Sequence, residues 1–492
     1  MFTLKKHQLL LALVLYSTIA LSAESVPSHK LSLEDCIRIA MEKHQSLSVS
    51  DANVAMAEAQ YQQAMSAYWP SIAAQVNGQR ADQDRTFSLQ GQFDLPPAMT
   101  GALKGIAGAG AAAATNNNPQ AIAAAMAQVN SSIPLNMNVK LFDRDTLTSS
   151  LNLTYPIFTG MKREALVGQT EKGIKIAEEG KRKTNLEVVR DVKKYYYSAQ
   201  FALQMEQLAS DTLERFKALE DLTERLYQHG SMKVKKTDYL RSKTTTAITR
   251  TLVSESIYAR ELAHEALGNA MGQEWDSQYS LVEPGDASPL SDGLKQLIES
   301  AHSFNPDIQQ LKLAVKISDD QITEARSGYY PMIGFQAEVH DIQTPYNSGL
   351  TNAVNRDGWT VGVGMQWSLF DGFLTTGKVN QAKAQQRKLE SQQVLLDQGI
   401  ALQVKQQFLS IKNSSAQTTD SKEAVGYATE NRKLHVRAYQ DELVETKDVI
   451  ESQIVEAYAQ GANYRARYAL EMGLLSLEYL IGHNVEANNH AL

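Results

Sequence analysis

The chain has 492 residues and a formal net charge of −7, with 43% hydrophobic and 21% charged residues. This acidic balance gives no reason to expect nucleic acid as a partner. The single cysteine, Cys36, excludes an internal disulfide, so packing must hold the fold together. A reactive thiol is one interpretation of Cys36, but we expect a small apolar residue on a helix face.

A targeting segment is predicted at residues 1–23. Lys5 and Lys6 give it a basic start, and an apolar stretch of about a dozen residues leads to the small residues Ser22 and Ala23. This pattern predicts a secretory signal peptide, cut after Ala23 or one residue earlier. Beyond it no run of about 18 apolar residues remains, which argues against a helical membrane protein.

The remainder of the chain is a tandem repeat. The helical pattern that begins at Leu33 recurs 261 residues later at Leu294, and both copies run without a gap to a proline, Pro70 or Pro331. Later matches lie 212 and then 210 residues apart, and the fall from 261 to 212 leaves 49 extra residues between Pro70 and Tyr155. Repeats of this size indicate one duplicated architecture. Within a duplicated region 24–482, the predicted parts are repeat one at about 32–272, repeat two at about 292–482, and a C-terminal tail at 483–492.

Two strands are predicted in each repeat, where the apolar period changes from 3.6 to 2. Ile333, Phe335 and Val339, for example, alternate with Gly334 and Gln336. The predicted strands cover about 71–87, 143–157, 332–343 and 358–370. The intervening loop 88–140 carries the extra length, and its Ala- and Gly-rich composition predicts a flexible or partly helical extracellular loop. Its role as a plug, receptor surface, trimer contact or tolerated insertion stays open.

Each second strand precedes a very long helical pattern without proline, at 161–227 and 373–439. A helix of this length spans roughly 100 Å. It needs neighbours along its whole length, as in a coiled coil. The chain is predicted to turn and return antiparallel, with turns at 228–232 and 440–442 and return helices at 233–271 and 443–481.

Four strands cannot close a membrane barrel, and open edges in lipid leave backbone groups unpaired. Strands that meet lipid must therefore be pooled by several chains. Aromatic residues at the strand ends resemble the girdles of membrane interfaces: Tyr68, Trp69, Tyr155, Tyr329, Tyr330 and Trp367.

The sequence resembles the TolC-like outer membrane efflux proteins over about 32–482. The resemblance lies in the duplicated order of helix, strand, strand and helical hairpin, and in three motifs: Ala67-Tyr-Trp-Pro-Ser-Ile72, Tyr155-Pro-Ile-Phe-Thr-Gly160 and Trp367-Ser-Leu-Phe-Asp-Gly372. It implies a mainly α fold with a small β part, in which long antiparallel coiled-coil helices form an α-barrel and four strands join a trimeric 12-stranded outer membrane β-barrel. The implied partners of this homotrimer are a periplasmic adaptor (membrane fusion) protein, an inner membrane pump and outer membrane lipid. The implied location is the outer membrane, with a large periplasmic helical part.

The resemblance also implies a periplasmic gate on the second hairpin. Its acidic residues here are Asp448 and Glu451, which stand three apart on one helix face. Carboxylates converging from three chains attract cations and raise each other's pKa. Asp238 and Tyr439 match a latch pair between hairpins, whereas the family's latch arginine aligns with Val444. An ordinary solvated helix face is the alternative for both sets.

No enzyme, cofactor or metal site is predicted. The segment Gly372 to Lys378 resembles a phosphate-binding loop, but Val379 stands where the loop needs Ser or Thr. The predicted function is a passive exit duct for a tripartite efflux pump or a type I secretion system. The alternative is a coiled-coil structural or adhesive envelope protein without a pore. Neither the exported substrate nor the pump follows from the sequence.

Overall fold

The computed structural model describes residues 30–89, 95–129, 137–275, 277–283, 285, 290, 292–344 and 356–482. The predicted signal peptide 1–23 and tail 483–492 lie outside these residues, as do parts of the predicted loop 88–140. Among the described residues, none of the helices is both long and apolar enough to cross a membrane.

Helices make up most of the described chain. From α1 to α10 they are Leu33–Lys43, Gln45–Met65, Pro97–Ala114, Pro119–Ala127, Lys162–Gln228, Lys236–Ala270, Leu294–Phe304, Pro306–Arg326, Leu374–Gln440 and Thr446–Ile481. The helices α5 and α9 have 67 residues each, and α6 and α10 return beside them after short turns. The predicted long helical hairpins and the mainly α fold class are confirmed.

The first helical segment of each repeat is broken where the sequence pattern predicted a continuous helix. His44 and Asn305 have extended backbones between two helices. The Asn305 side chain accepts the backbone N–H of Asp307 at 2.9 Å, and Pro306 takes the first helical position. Both features start a new helix, so the unbroken helix expected in each repeat is wrong at these two residues.

The described strands form three separate sheets. From β1 to β8 they are Lys30–Leu31, Ser71–Arg80, Arg85–Leu89, Met137–Phe142, Asp145–Phe158, Ser280–Leu281, Met332–Gln343 and Asp357–Gln366. The largest sheet has the order β2-β5-β7-β8 with every pair antiparallel. It contains one strand from each of the four predicted positions.

The predicted first strand, 71–87, differs most from the structure. It ends as β2 at Arg80, and the chain then continues as β3, which pairs with β4 in a ladder of its own. In its described part, the predicted loop 88–140 contains the helices α3 and α4. Their alanine-rich sequences favour helix, and each begins with a proline at its first position.

Two compact units can be described separately. One contains residues 1–57, 173–315 and 388–492, and the other contains 58–172 and 316–387. The four-stranded sheet belongs to the second unit. The hairpin ends between α5 and α6 and between α9 and α10 belong to the first.

The first unit contains two equivalent apolar clusters, one from each repeat. Cys36, Val192 and Met271 are fully buried in one cluster. The residues 261, 212 and 210 positions later, Leu297, Val404 and Ile481, occupy the other. The duplication therefore extends to core packing. Because burial raises the pKa of the Cys36 thiol to about 12, this residue serves as an apolar core side chain.

Candidate functional site

The four-stranded sheet has one apolar and one polar face. In antiparallel strands, residues directly opposite each other point to the same side. Leu151 lies opposite Val339, which lies opposite Trp359, whereas the adjacent row joins Asn152 to Glu338. The strand register thus assembles one apolar face from all four strands: Ile72, Ala74, Val76, Leu151, Leu153, Phe335, Ala337, Val339, Trp359, Val361, Val363 and Met365.

This apolar face is uncovered in the single chain. Val76 is 69% exposed, Val363 67% and Trp359 75%. The outer strands β2 and β8 each pair along one edge only within the described residues, and every β2 side chain is exposed. Free edges and an exposed apolar face of this extent require lipid or further protein to cover them.

The six predicted interface aromatics come together at one end of the sheet. Tyr68, Trp69, Tyr329 and Tyr330 precede the starts of β2 and β7, while Tyr155 and Trp367 lie at the ends of β5 and β8. The register pairs those starts with those ends.

Local contacts fix this aromatic end. The Arg163 guanidinium lies 4.1 Å above the Tyr68 ring. The Trp367 indole N–H donates to the Tyr329 carbonyl at 3.1 Å, and the Tyr329 hydroxyl lies 3.1 Å from the Thr376 hydroxyl. Amphipathic rings of this kind suit an apolar–water boundary.

The turn between β8 and α9 excludes a phosphate site. Gly372 has a φ of +66°, and Gly160 has the same φ in repeat one, which shows a shared strand-to-helix turn that needs the left-handed conformation. The Asp371 carboxylate accepts the Thr375 backbone N–H at 2.8 Å and its hydroxyl at 2.5 Å. A carboxylate therefore occupies the helix start where an incoming phosphate would bind.

Asp238 and Asp448 occupy equivalent positions in the two helical hairpins, 210 residues apart. Asp238 accepts the backbone N–H of Lys235 at 3.0 Å, and Asp448 accepts that of Glu445 at 3.0 Å. Each carboxylate thus caps the start of α6 or α10, where the helix dipole also favours negative charge. Asp448 consequently stabilises its helix in addition to its predicted gate role.

Glu451 lies one turn farther along α10, and it is exposed. Lys447 lies 3.1 Å from Glu445 in the same turn. The hydrogen bond to Glu445, with the nearby Asp448 charge, raises the pKa of Lys447. The hairpin end therefore carries a fully charged lysine beside three carboxylates.

Tyr439 has different partners from those the sequence predicted. Its side chain is 4% exposed, and its hydroxyl lies 3.0 Å from the Thr223 hydroxyl and 2.9 Å from the Thr446 hydroxyl. In the described part of the chain no hydrogen bond joins it to Asp238. The latch pair is therefore not formed within one chain, and a contact between chains stays a prediction.

The sequence profile of the outer membrane efflux protein family matches residues 36–273 and 297–483, which are most of the chain and both repeats. The chain belongs to the outer membrane efflux protein family. Membership makes it an outer membrane efflux channel with a large periplasmic helical part. It favours the predicted exit duct over the alternative without a pore.

Solved structures share the fold of this efflux protein. The channel CusC matches with a TM-score of 0.71 and 14% identity over 92% of each chain. The outer membrane protein VceC of Vibrio cholerae matches with a TM-score of 0.70 and 16% identity over 92% of this chain and 96% of that one. The CmeC outer membrane channel of Campylobacter jejuni matches with a TM-score of 0.67 and 14% identity over 93% and 88%. A comparison with curated proteins gave no match.

Sequence reasoning missed one charged cluster of the efflux protein. Glu456 on α10 is 1% exposed, and its carboxylate lies 2.7 Å from Arg215 of α5 and 2.6 Å from Arg432 of α9. A buried carboxylate held by two guanidinium groups joins three helices. The only sequence signal is a glutamate seven residues after Val449, on the inward face of α10.

Proposed function

We propose that three copies of the chain pool their sheets into one closed twelve-stranded barrel that serves as the exit duct of a tripartite efflux pump. The observation that carries this proposal is the exposed apolar face of the sheet together with its two open edges. β2 and β8 have 10 residues each, the length at which a tilted strand crosses a bilayer. Closure removes both edges, and lipid covers the apolar face.

The proposed partners are a periplasmic adaptor and an inner membrane pump. The duct itself is passive, so the pump supplies the driving force and selects most of the substrate. Service to a type I secretion system is compatible with the same duct. The six aromatics of the sheet end are proposed to lie at the periplasmic interface of the membrane, because the long helices leave the sheet from that end.

Native mass measurement and single-channel conductance in a planar bilayer test the duct. A trimer that conducts supports the proposal. A folded, monomeric and non-conducting protein would overturn it.

A matched pair of lysine substitutions in β8 locates the membrane face. Val361→Lys places a charge on the apolar face, whereas Thr360→Lys places it on the polar face one residue away. A lysine facing lipid near the midplane costs about 2–4 kcal/mol, so we expect V361K to lose stability and membrane assembly while T360K assembles and changes ion selectivity. Equal loss in both variants would contradict the assigned faces.

The acidic gate is proposed to lie at Asp448 and Glu451. Because Asp448 also caps α10, Asp448→Ala would remove a charge and a cap together. Asp448→Asn keeps an acceptor for the Glu445 N–H and removes only the charge. We expect D448N with Glu451→Gln to weaken cation selectivity, while Asp238→Asn tests the latch in the other hairpin. Unchanged selectivity in D448N/E451Q would reject the gate and leave the duct intact.

A further inference from the structure

A cavity of about 620 Å³ opens between α8 and α9, in the unit that contains the sheet. Its charged and amide side chains come from both helices: Asp319, Arg326, Asn380, Lys383, Gln386 and Arg387. We name this cavity the cationic groove, because its three basic side chains face a single carboxylate. Asp319 is itself engaged, since its Oδ1 accepts the Gln386 side-chain N–H at 2.5 Å.

Two of the groove's cations have no partner among the residues that the structure describes. Arg326 and Lys383 are exposed, and across the described residues neither forms an ion pair or hydrogen bond. Like charges in one groove concentrate a positive potential, which attracts an anion.

The opposite side of α8 shows the contrast. There Asp320 pairs with Lys172 at 2.6 Å, and Glu324 accepts from Gln169 at 2.9 Å. Both acidic side chains therefore have partners where α8 meets α5, whereas Arg326, at the groove, has none among the described residues.

The tandem repeat shows whether helix packing requires the positive charge of the cationic groove. The repeat-one residue equivalent to Arg326 is Met65, 261 positions earlier. The residue equivalent to Lys383 is Glu171, 212 positions earlier. Because repeat one builds the same helices without either cation, the positive charge is not a requirement of the helix packing.

The groove lies directly beside the aromatic end of the sheet. Arg326 precedes Tyr329 by three residues, and Lys383 follows Thr376, the partner of Tyr329, by seven residues, or about 10 Å along α9. The polar region on each side of a bilayer's hydrocarbon core is about 5–8 Å thick. With the aromatic end at the membrane interface, Arg326 lies at headgroup depth and Lys383 lies just beyond it, within reach of a headgroup for its long side chain.

We propose that the cationic groove binds the phosphate of an anionic phospholipid headgroup in the periplasmic leaflet of the outer membrane. The inference rests on the membrane position given under the proposed function. A guanidinium fork suits the phosphate oxygens, a flexible lysine adds a second charge, and Asn380 supplies an amide donor. Basic pockets at the ends of membrane segments bind lipid headgroups by the same chemistry.

Native mass spectrometry of the purified full chain tests this site, with phosphatidylglycerol or phosphatidylcholine added to the detergent. The variant is Arg326→Gln with Lys383→Gln. The control is Arg38→Gln with Lys295→Gln, which removes two exposed cations from the other unit. We expect wild type and control to retain phosphatidylglycerol about tenfold more strongly than phosphatidylcholine. The R326Q/K383Q variant should bind both lipids alike.

Each other outcome overturns a specific statement. A conducting trimer whose R326Q/K383Q variant still prefers phosphatidylglycerol rejects the groove and leaves the duct intact. Loss of the trimer in that variant identifies a second copy of the chain as the occupant and also rejects the lipid. Displacement of bound lipid by millimolar inorganic phosphate identifies free phosphate as the ligand instead. A wild-type chain that neither trimerises nor conducts rejects the proposed function itself.

Discussion

Repeat one and repeat two have equivalent cores but different hairpin ends. Val192 and Val404 are both fully buried at equivalent positions. At the hairpin ends, however, repeat one has Arg241 where repeat two has Glu451. Packing constrains a core position to a small choice of apolar shapes. An exposed helix end has no such constraint, so charge diverged there while the architecture stayed fixed.

Buried polar positions diverged as well. Glu456 of repeat two corresponds to Thr246 of repeat one, and both are 1% exposed. Thr246 is satisfied by a hydrogen bond to the Ser242 carbonyl within its own helix, whereas Glu456 needs Arg215 and Arg432 from two other helices. At this position α10 is therefore joined to two other helices by charge, whereas α6 is satisfied within its own helix.

The largest expected effect concerns the thiol at the centre of the repeat-one core. Burial, helped by the nearby Asp35 charge, raises the pKa of Cys36 from its usual value of 9.0 to about 12. The thiolate is the reactive form, so alkylation by N-ethylmaleimide at pH 8 should be about a thousandfold slower than in the unfolded chain. Mass spectrometry of the single cysteine measures both rates.

Equal rates for folded and unfolded chain would show that the repeat-one core is open. The sign for stability follows from the same shift. Because the thiol in the folded chain resists ionisation, burying it contributes fully to the free energy of unfolding below pH 9. This contribution is lost as the pH rises from 9 toward 12, because over that range the thiol ionises in the unfolded chain but not in the folded one.

The next effect separates the two hairpins. Glu456→Gln leaves two arginines without their shared carboxylate, and breaking a buried ion pair costs about 3–5 kcal/mol. Both arginines of the cluster are partly exposed to solvent. We therefore expect a loss of stability at the lower end of this range, about 3 kcal/mol. Denaturant unfolding of the purified chain measures it. Glu451→Gln on the exposed face of the same helix should change stability by less than about 0.5 kcal/mol, and a similar loss in both variants would contradict the cluster's role.

A third comparison uses equivalent core positions with different side chains. Leu297→Ala removes a large buried side chain and should cost about 3 kcal/mol. Cys36→Ala at the matching position removes only a sulfur atom and should cost about 1 kcal/mol. Thermal unfolding of both variants measures the two losses of stability, which we expect to differ about threefold. If the two losses were equal, the two clusters would not be packed alike.

The smallest expected effect is a gain. Gly230 and Glu442 occupy the same place in the two hairpin turns, with φ of +75° and +57°. Glycine adopts this left-handed backbone without strain, so Glu442→Gly should stabilise the second turn by about 0.5–1 kcal/mol. Gly230→Ala should destabilise the first by a similar amount. A destabilised E442G would mean that the weak contact of Glu442 with Ser231 at 3.5 Å outweighs the strain.

The repeat, the four strands and the hairpin turns followed from the sequence because each leaves a local pattern. Alternation marked the strands, and the absence of proline marked α5 and α9. The break at Asn305 also had a local signal, since Asn-Pro commonly starts a turn or a helix. The apolar period of the surrounding residues continues across the break, which concealed it.

Contacts between distant segments left no such pattern. Glu456 meets Arg215 and Arg432 only because three helices pack together, and no spacing along the chain predicts that. Within one chain the Tyr439 hydroxyl is satisfied by Thr223 and Thr446, so its predicted contact with Asp238 stays a prediction for neighbouring chains. The position of Tyr439 in the sequence places it correctly near a hairpin end. The packing of neighbouring side chains decides which hydroxyl groups it meets.

The equal length of α5 and α9 has a consequence for symmetry. In the proposed trimer, three chains supply six hairpins whose long helices are equal in length and whose apolar core positions are equivalent. Their shafts therefore approximate sixfold symmetry, while the alternation of Arg241 and Glu451 reduces the ends to threefold symmetry. A partner that contacts only the long helices meets six similar surfaces. A partner that contacts the hairpin ends meets three ends with Arg241 that alternate with three ends with Glu451.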